Sequence, residues 1–254
     1  MNTHLPVLMY HAVDDSHSVL ATSPATFAWQ MRWLKQNHFQ VLTLAEAAHC
    51  LKQDLGFPER AVSITFDDGF ESVYRHAFPV LCQYEFPAMV FLVANYVGEK
   101  NNWPGQPAGV KAGLLANWDQ ILEMDRSGIR FGSHSLSHPR LDLLSANDLQ
   151  RQISGSQTII ADRVGHAISW FAYPYGRLTQ RVVDTVRQVY EGACSANLGL
   201  VDKQSDVFAL ERVETYYLRD PRIFGLLAGR FFKDYLGLRR IMRQAASWTL
   251  RRTW

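Results

Sequence analysis

A parallel α/β fold, with its functional site at the carboxyl ends of the strands, is predicted by three observations. Short apolar and β-branched runs alternate with segments of helical period along the chain. Two of those runs stop at clusters of reactive side chains, Asp67-Asp68-Gly69 and His134-Ser135-Leu136-Ser137-His138. At 254 residues, 47% hydrophobic and 20% charged, the chain can bury one sizeable core. Alternation of strand and helix implies parallel strands, and in such folds the connecting loops gather over the strands' carboxyl ends.

In chain order, Leu5 to Tyr10 reads as the first strand, with His11 at its end. Ser23-Pro24 offers an N-cap followed by proline in the first helical turn, and Phe27, Met31 and Leu34 give that helix its apolar face. Thr43-Leu44-Ala45-Glu46 is a capping box that opens a second helix. Ala61 to Phe66 is a buried strand that stops at the acidic turn. Val73, Ala77, Val80, Leu81 and Tyr84 predict a helix that Pro79 kinks, and the apolar run after Pro87 predicts a fully buried strand. Gly98 to Gly113, rich in Gly, Pro and Asn, predicts a long loop over the mouth of the fold. Asn117 caps a helix ending at Gly128, and a short strand follows from Ile129 to Phe131. Ser145 and Asp148 open another helix, which ends at Gly165. The remainder reads as strand Ile168 to Ala172, helix Thr179 to Val189, strand Gly192 to Cys194 and a last strand near Phe208 to Val213.

Consecutive residues leaving a strand point in different directions, so Asp67 and Asp68 can divide the work, one binding a metal and the other handling a proton. Taken alone, Asp-Asp-Gly reads equally well as a solvated turn. The two histidines shift that balance. His134 and His138 are four apart, a spacing that puts both on one face of a helical turn and lets both imidazoles reach one ion. A histidine pair plus one carboxylate makes a facial triad with positions left for water and substrate. His4, His17, His38, His49, His76 and His166 have no such partner pattern and read as ordinary.

Thr65-Phe66-Asp67-Asp68-Gly69 followed by His134-Ser135-Leu136-Ser137-His138 resembles the first two motifs of the polysaccharide deacetylases, the NodB-homology or carbohydrate esterase family 4 domain. The resemblance extends to Met9-Tyr10-His11, Phe86-Pro87-Ala88, Trp118-Asp119-Gln120, Phe131-Gly132-Ser133-His134 and Phe171-Ala172-Tyr173-Pro174-Tyr175-Gly176, and covers roughly residues 5 to 220. It implies a distorted (β/α) barrel and a hydrolase that removes acetyl groups from N-acetylated or O-acetylated sugars of a cell-surface polysaccharide or glycolipid precursor. It also implies a divalent metal, zinc first, with cobalt, nickel and manganese as alternatives. Carried over residue by residue, Asp68, His134 and His138 hold the metal, Asp67 is the base, and the backbone N–H of Tyr175 serves the oxyanion. Trp103 and Pro174 are expected against the substrate, although Trp103 could equally pin its loop.

Two departures from the family pattern stand out. No histidine follows His166, so the late Leu-x-His motif that supplies the general acid is absent. His11 resembles the replacement found in the branch whose motifs are circularly permuted, which a barrel allows because its first and last strands are neighbours; alternatively it is a structural histidine capping a loop. Ala172 also stands where the family has an arginine that holds the catalytic aspartate, and Arg212 is the candidate substitute. Three alternatives remain at this stage: a deformylase or other amide hydrolase acting on a lipid-linked amino sugar, a catalytically dead saccharide-binding module, and a membrane-associated scaffold whose tail does the work.

Residues 1–220 are expected to be the catalytic domain and 221–254 a basic amphipathic helical extension. The extension carries eight basic residues against one acid, a net of +7, whereas the first 220 residues carry 18 against 23, a net of −5. Phe224, Leu227, Phe231, Phe232, Tyr235, Leu238, Ile241, Met242, Trp248 and Leu250 interleave with those charges. The segment is too charged to span a bilayer but suits an anionic membrane surface, or else packs on the barrel with its arginines solvated. Nucleic acid is not expected as a partner, because no recognised binding module accompanies the basic run. Cys50, Cys82 and Cys194 are scattered and odd in number, which predicts buried free thiols in a reducing compartment. The N-terminal residues show no signal-peptide pattern, so the expected location is cytoplasmic, including the inner face of the membrane.

Overall fold

Seven parallel strands close into a barrel in the computed structural model, which describes residues 2–106 and 110–251, with side chains to residue 243. The strands are β1 (Val7–Tyr10), β2 (Ala61–Phe66), β3 (Met89–Leu92), β4 (Arg130–Ser133), β5 (Trp170–Ala172), β6 (Gly192–Leu198) and β7 (Leu210–Glu214). They pair in sequence order, and the ring closes where Val213 and Glu214 of β7 meet Leu8 and Met9 of β1. Gln40–Val41 adds a short parallel strand at the edge of β2, which the sequence pattern did not reveal. Below the barrel, His4–Leu5 pairs antiparallel with Val201–Asp202.

Side-chain alternation along the strands explains why this closure is stable. Leu8, Tyr10, Val62, Ile64, Phe66, Val90 and Leu92 join one apolar cluster with the surrounding helices. The alternate residues Val7, Met89, Phe91, Trp170, Ala172, Cys194 and Leu210 form a second cluster within the ring. Each set is continuous only if the sheet closes.

The expected helices are present with their expected caps. They are α1 (Pro24–Gln36), α2 (Leu44–Lys52), α3 (Phe78–Tyr84), α4 (Trp118–Arg126), α5 (Ala146–Val164) and α6 (Gln180–Arg187). Ser23 Oγ accepts the Thr26 N–H at 3.1 Å. Thr43 and Glu46 complete their capping box, and Asn117 and Gln120 complete another. Pro79 acts as expected: the preceding residues Val73–Ala77 widen into a π-helical turn before α3 begins, because proline cannot donate to the ladder.

Differences from the sequence reading concentrate late in the chain. The sixth strand runs to Leu198, not Cys194, and its register against β7 shifts between Cys194 and Leu198, so it bulges beside the barrel mouth. The thiols are free, but only Cys194 is buried. Cys82 is exposed and Cys50 half-buried, which corrects the expectation for those two.

Gly132 of β4 illustrates how tightly the barrel wall is packed. A Cβ at this position would lie 2.6 Å from two Phe91 ring atoms and 2.9 Å from the Trp170 carbonyl oxygen, part of a backbone that cannot turn aside. Gly132→Ala is expected to lower stability by about 1–3 kcal/mol, read as a lower denaturation midpoint at unchanged slope.

Beyond the barrel lie α7 (Pro221–Gly225), a 3₁₀ turn at Leu226–Ala228 and α8 (Phe232–Arg251). Phe224, Phe232 and Leu236 are buried in the outer cluster, and the Phe224 ring meets those of Trp29 and Trp33. Arg252 lies outside the described residues, as do the side chains of Trp248, Leu250 and Arg251. Among the described residues, no helix is long and apolar enough to cross a membrane.

Candidate active site

A cavity of about 180 Å³ opens at the carboxyl ends of the strands. Every barrel strand except β3 supplies part of its wall: Met9 from β1 and His11 just after it, Asp67 and Asp68 after β2, His134 and His138 after β4, Tyr173 and Tyr175 after β5, Ala196 from β6 and Glu214 from β7. Parallel pairing produces this convergence, because every strand then ends on the same side.

Asp67 and Asp68 separate as they leave β2. Asp68 takes a left-handed conformation (φ 70°), as does Gly69 (φ 77°). The backbone therefore turns sharply and points the two carboxylates to different places. Asp67 N–H donates to Tyr10 O at 2.9 Å, which ties this turn to the end of β1 and puts His11 on the adjoining strand.

Beneath Asp67 lies Arg212, an arginine 1% exposed inside the barrel. Its two terminal nitrogens donate to Asp67 Oδ1 and Oδ2, both at 2.7 Å. Nη1 also reaches Thr65 Oγ1 at 3.3 Å, Nε donates to Ser195 O at 2.8 Å, and the guanidinium lies 5.7 Å from the Phe91 ring centre. Such bidentate geometry fixes the rotation of the carboxylate. Burial alone would raise the Asp67 carboxyl, but the Arg212 guanidinium overrides it and holds the group well below the usual carboxylate range.

His134 and His138 do not lie on a helical turn as expected. They sit in a loop whose Ser135 (φ 70°) and His138 (φ 56°) are left-handed. Tertiary bonds hold that loop. Ser135 Oγ accepts the His138 N–H at 3.0 Å, and Gln152 Oε1 on α5 accepts the N–H groups of Leu136 and Ser137 at 3.1 Å. His134 N–H donates to Leu92 O at 2.8 Å.

The two imidazoles and Asp68 converge. Asp68 Oδ1 is 3.6 Å from Nε2 of each histidine, and the two Nε2 atoms are 3.2 Å apart. The His134 Nδ1–H is directed at Ala172 O, 2.8 Å away, which leaves Nε2 as the free lone pair. Three ligand atoms lie within 4.8 Å of one another, all buried. Burial pushes the Asp68 carboxyl above its ordinary value. Burial, with His134 next, holds His138 well below its own, and therefore neutral. Asp68 Oδ1 has no hydrogen-bond partner among the described residues. A free His134 lone pair beside an orphaned, buried carboxylate oxygen is unfavourable unless a cation joins them, so the donor set fits a divalent metal.

Trp103 corrects one expectation. At 2% exposure it does not line the cavity and cannot stack on a sugar. Instead its ring lies 4.5 Å from that of His138, which also has the Tyr175 ring 4.4 Å and the His134 ring 4.7 Å away. The Tyr175 hydroxyl faces Trp103 without closing a hydrogen bond. Pro174 is likewise buried and outside the cavity wall, although Tyr175 beside it (φ 57°) turns its backbone at the rim. His11 lines the cavity, half-buried.

Sequence reasoning missed Glu214, Tyr173, Gln106 and Val110. Glu214 carried a usable signal, as an acid at the carboxyl end of the last strand. Gln106 and Val110 flank residues 107–109 of the long loop, which lie outside the described residues. Their presence in the wall places part of that loop over the mouth.

Residues 54–190 match the family model described as "Polysaccharide deacetylase". YxkH of Bacillus subtilis (strain 168), itself a polysaccharide deacetylase by inference, is 29% identical over 231 residues, covering 91% of this chain and 76% of that protein. The poly-beta-1,6-N-acetyl-D-glucosamine N-deacetylase of Staphylococcus aureus (strain MSSA476) is 27% identical over 180 residues, covering 66% of this chain and 58% of that protein. The solved structure of IcaB from Ammonifex degensii is 30% identical with a TM-score of 0.76, covering 90% of this chain and 99% of that one.

Proposed function

The chain belongs to the polysaccharide deacetylase family of amide-bond hydrolases, and from that premise we propose that it removes acetyl groups from N-acetylated sugars of a cell-surface polysaccharide, with a divalent metal, zinc first, at Asp68, His134 and His138. One observation carries this reading: the three ligand atoms stand beside a second carboxylate, Asp67, which a buried arginine holds ionised. A saccharide-binding module without turnover would have no use for such a base. A poly-N-acetylglucosamine is the preferred substrate class, following the name of the Staphylococcus relative.

In this proposal residues 1–220 form the catalytic domain, and the groups around the triad divide the work. Asp68, His134 and His138 would hold the metal, which would supply Lewis-acid chemistry that makes water more acidic and the acyl carbonyl more electrophilic. Asp67 takes the proton of the attacking water, and Arg212 keeps that carboxylate in one orientation and charged until it does so. The backbone N–H of Tyr175 donates to the oxygen that becomes anionic as the amide carbon turns tetrahedral. His11 returns a proton to the departing amine, which cannot leave as an anion. Trp103 and the Tyr175 ring hold the His138 imidazole between them.

That last role is testable apart from turnover. Trp103→Leu is expected to weaken metal affinity by roughly 10–100-fold, read by competition with a chelator on protein whose circular dichroism shows it folded. Unchanged metal affinity would reduce Trp103 to loop packing.

Acetate release separates the proposal from its nearest rival. β-1,6-linked and β-1,4-linked N-acetylglucosamine oligomers and their N-formyl analogues are incubated with metal-replete enzyme. Acetate is expected, and released faster from the β-1,6 series; formate released in preference to acetate from matched oligomers would overturn the acyl assignment in favour of a deformylase.

A further inference from the structure

We propose that α8 docks the protein on an anionic lipid surface with the mouth of the active-site cavity beside the contact, so that the saccharide is taken from that surface. The catalytic consequence rests on the reading above; the docking does not.

The helix has two apolar sides. Phe232 and Leu236 face the barrel and are 4% exposed. Phe231, Leu238, Ile241 and Met242 are 57%, 58%, 63% and 53% exposed. Their helical spacing puts them along one flank, away from the buried pair. Arg239 and Arg240 border that flank on its two sides, Arg239 packing on the Tyr217 and Tyr235 rings, and Arg230 precedes the helix. Asp234, the lone acid from Pro221 to the end of the sequence, falls within the flank. An apolar flank bordered by arginine forms an interfacial pattern, and each basic residue near an anionic surface tightens binding about fivefold.

Charge complementarity selects the partner. A second copy of this chain seated on the same stripe would bring two sets of these cations together. A surface of acidic lipid headgroups meets the cations and accepts the apolar flank at once. The −5 net charge of the first 220 residues disfavours other faces of the barrel against that surface, which orients the molecule.

Placement of the helix ties this face to the site. Near its start, Lys233 Nζ lies 3.0 Å from His4 Nε2, below the amino end of the barrel. One turn after Leu238 and next to Met242, Arg243 Nη1 donates to Ala196 O at 3.3 Å, and Ala196 lines the catalytic cavity. The helix therefore climbs the barrel from its amino end to its mouth and carries the exposed stripe to the rim.

Co-sedimentation of the full chain with vesicles tests this, using phosphatidylcholine alone and phosphatidylcholine mixed with phosphatidylglycerol. Binding is expected about tenfold tighter or more to the mixed vesicles, and weaker as salt rises. The double variant Ile241→Ser with Met242→Ser, and separately Arg240→Glu, should each weaken it several-fold, while acetate release from a short soluble oligomer stays at the wild-type rate. Equal binding to both vesicles, no binding to either, or a wild-type dimer that the serine variant dissolves would overturn the proposal. Vesicle binding without acetate release would sink the deacetylase reading and leave the docking intact; acetate release without vesicle binding would do the reverse.

Discussion

Arg212→Met should cost about 3–5 kcal/mol of stability and leave the folded fraction inactive. The substitution keeps the volume of a long side chain in the barrel but strips Asp67 of both its 2.7 Å partners. A buried carboxylate then stands uncompensated, one residue from a second one. Replacing both partners tests the cause: Arg212→Met with Asp67→Leu removes both charges and should recover most of the lost stability without recovering turnover. A double variant as unstable as the single one would mean that shape, not charge, fills the barrel at this level. Acid offers a second check. The Asp67 carboxyl is depressed in the folded protein, so the pair's contribution is complete above the ordinary carboxylate value of about 4 and is lost only as pH falls below it. Without Arg212, burial raises the lone carboxylate, so the deficit of the single variant should begin to shrink above the ordinary carboxylate value as that group takes up a proton, and shrink further below it as the wild type loses the pair's contribution.

Asp67→Asn should lower kcat by roughly 10²–10⁴-fold while metal content stays at the wild-type level. Asparagine matches the shape of aspartate but cannot accept a proton from water. The ligand atoms of Asp68, His134 and His138 are untouched by the change. The variant also faces Arg212 with an amide in place of one carboxylate oxygen, so turnover must be expressed per folded molecule. Metal-loaded, folded Asp67→Asn with turnover within tenfold of wild type would remove Asp67 from the role of base.

Much of the site was legible in the sequence because parallel strands end on one side. Asp67-Asp68-Gly69 and the His134/His138 pair each follow a buried strand, and strand ends in a closed parallel sheet must converge. Arg212 could be sought because Ala172 leaves the aspartate without the arginine found elsewhere in the family. The conformation of the histidine loop was not legible. Spacing of four suits a helical turn, whereas Gln152 and Ser135 hold the segment in left-handed backbone that only the packed α5 makes accessible. Trp103 was misplaced for a similar reason. A tryptophan in a Gly/Pro/Asn loop points to solvent as readily as inward, and bonds such as Gly113 N–H to the buried Asn101 Oδ1 at 2.6 Å decide which. Glu214 escaped notice because the apolar pattern of the last strand stops at Val213, whereas the strand itself runs one residue further.

Metal stoichiometry, measured by elemental analysis on wild type and His138→Ala alongside acetate release from β-1,6-linked N-acetylglucosamine oligomers, tests the central claim most directly. The account predicts about one equivalent of divalent metal and steady acetate release in the wild type, with both lost together in His138→Ala. Wild-type protein that releases acetate at full rate while holding no metal under replete conditions would contradict it.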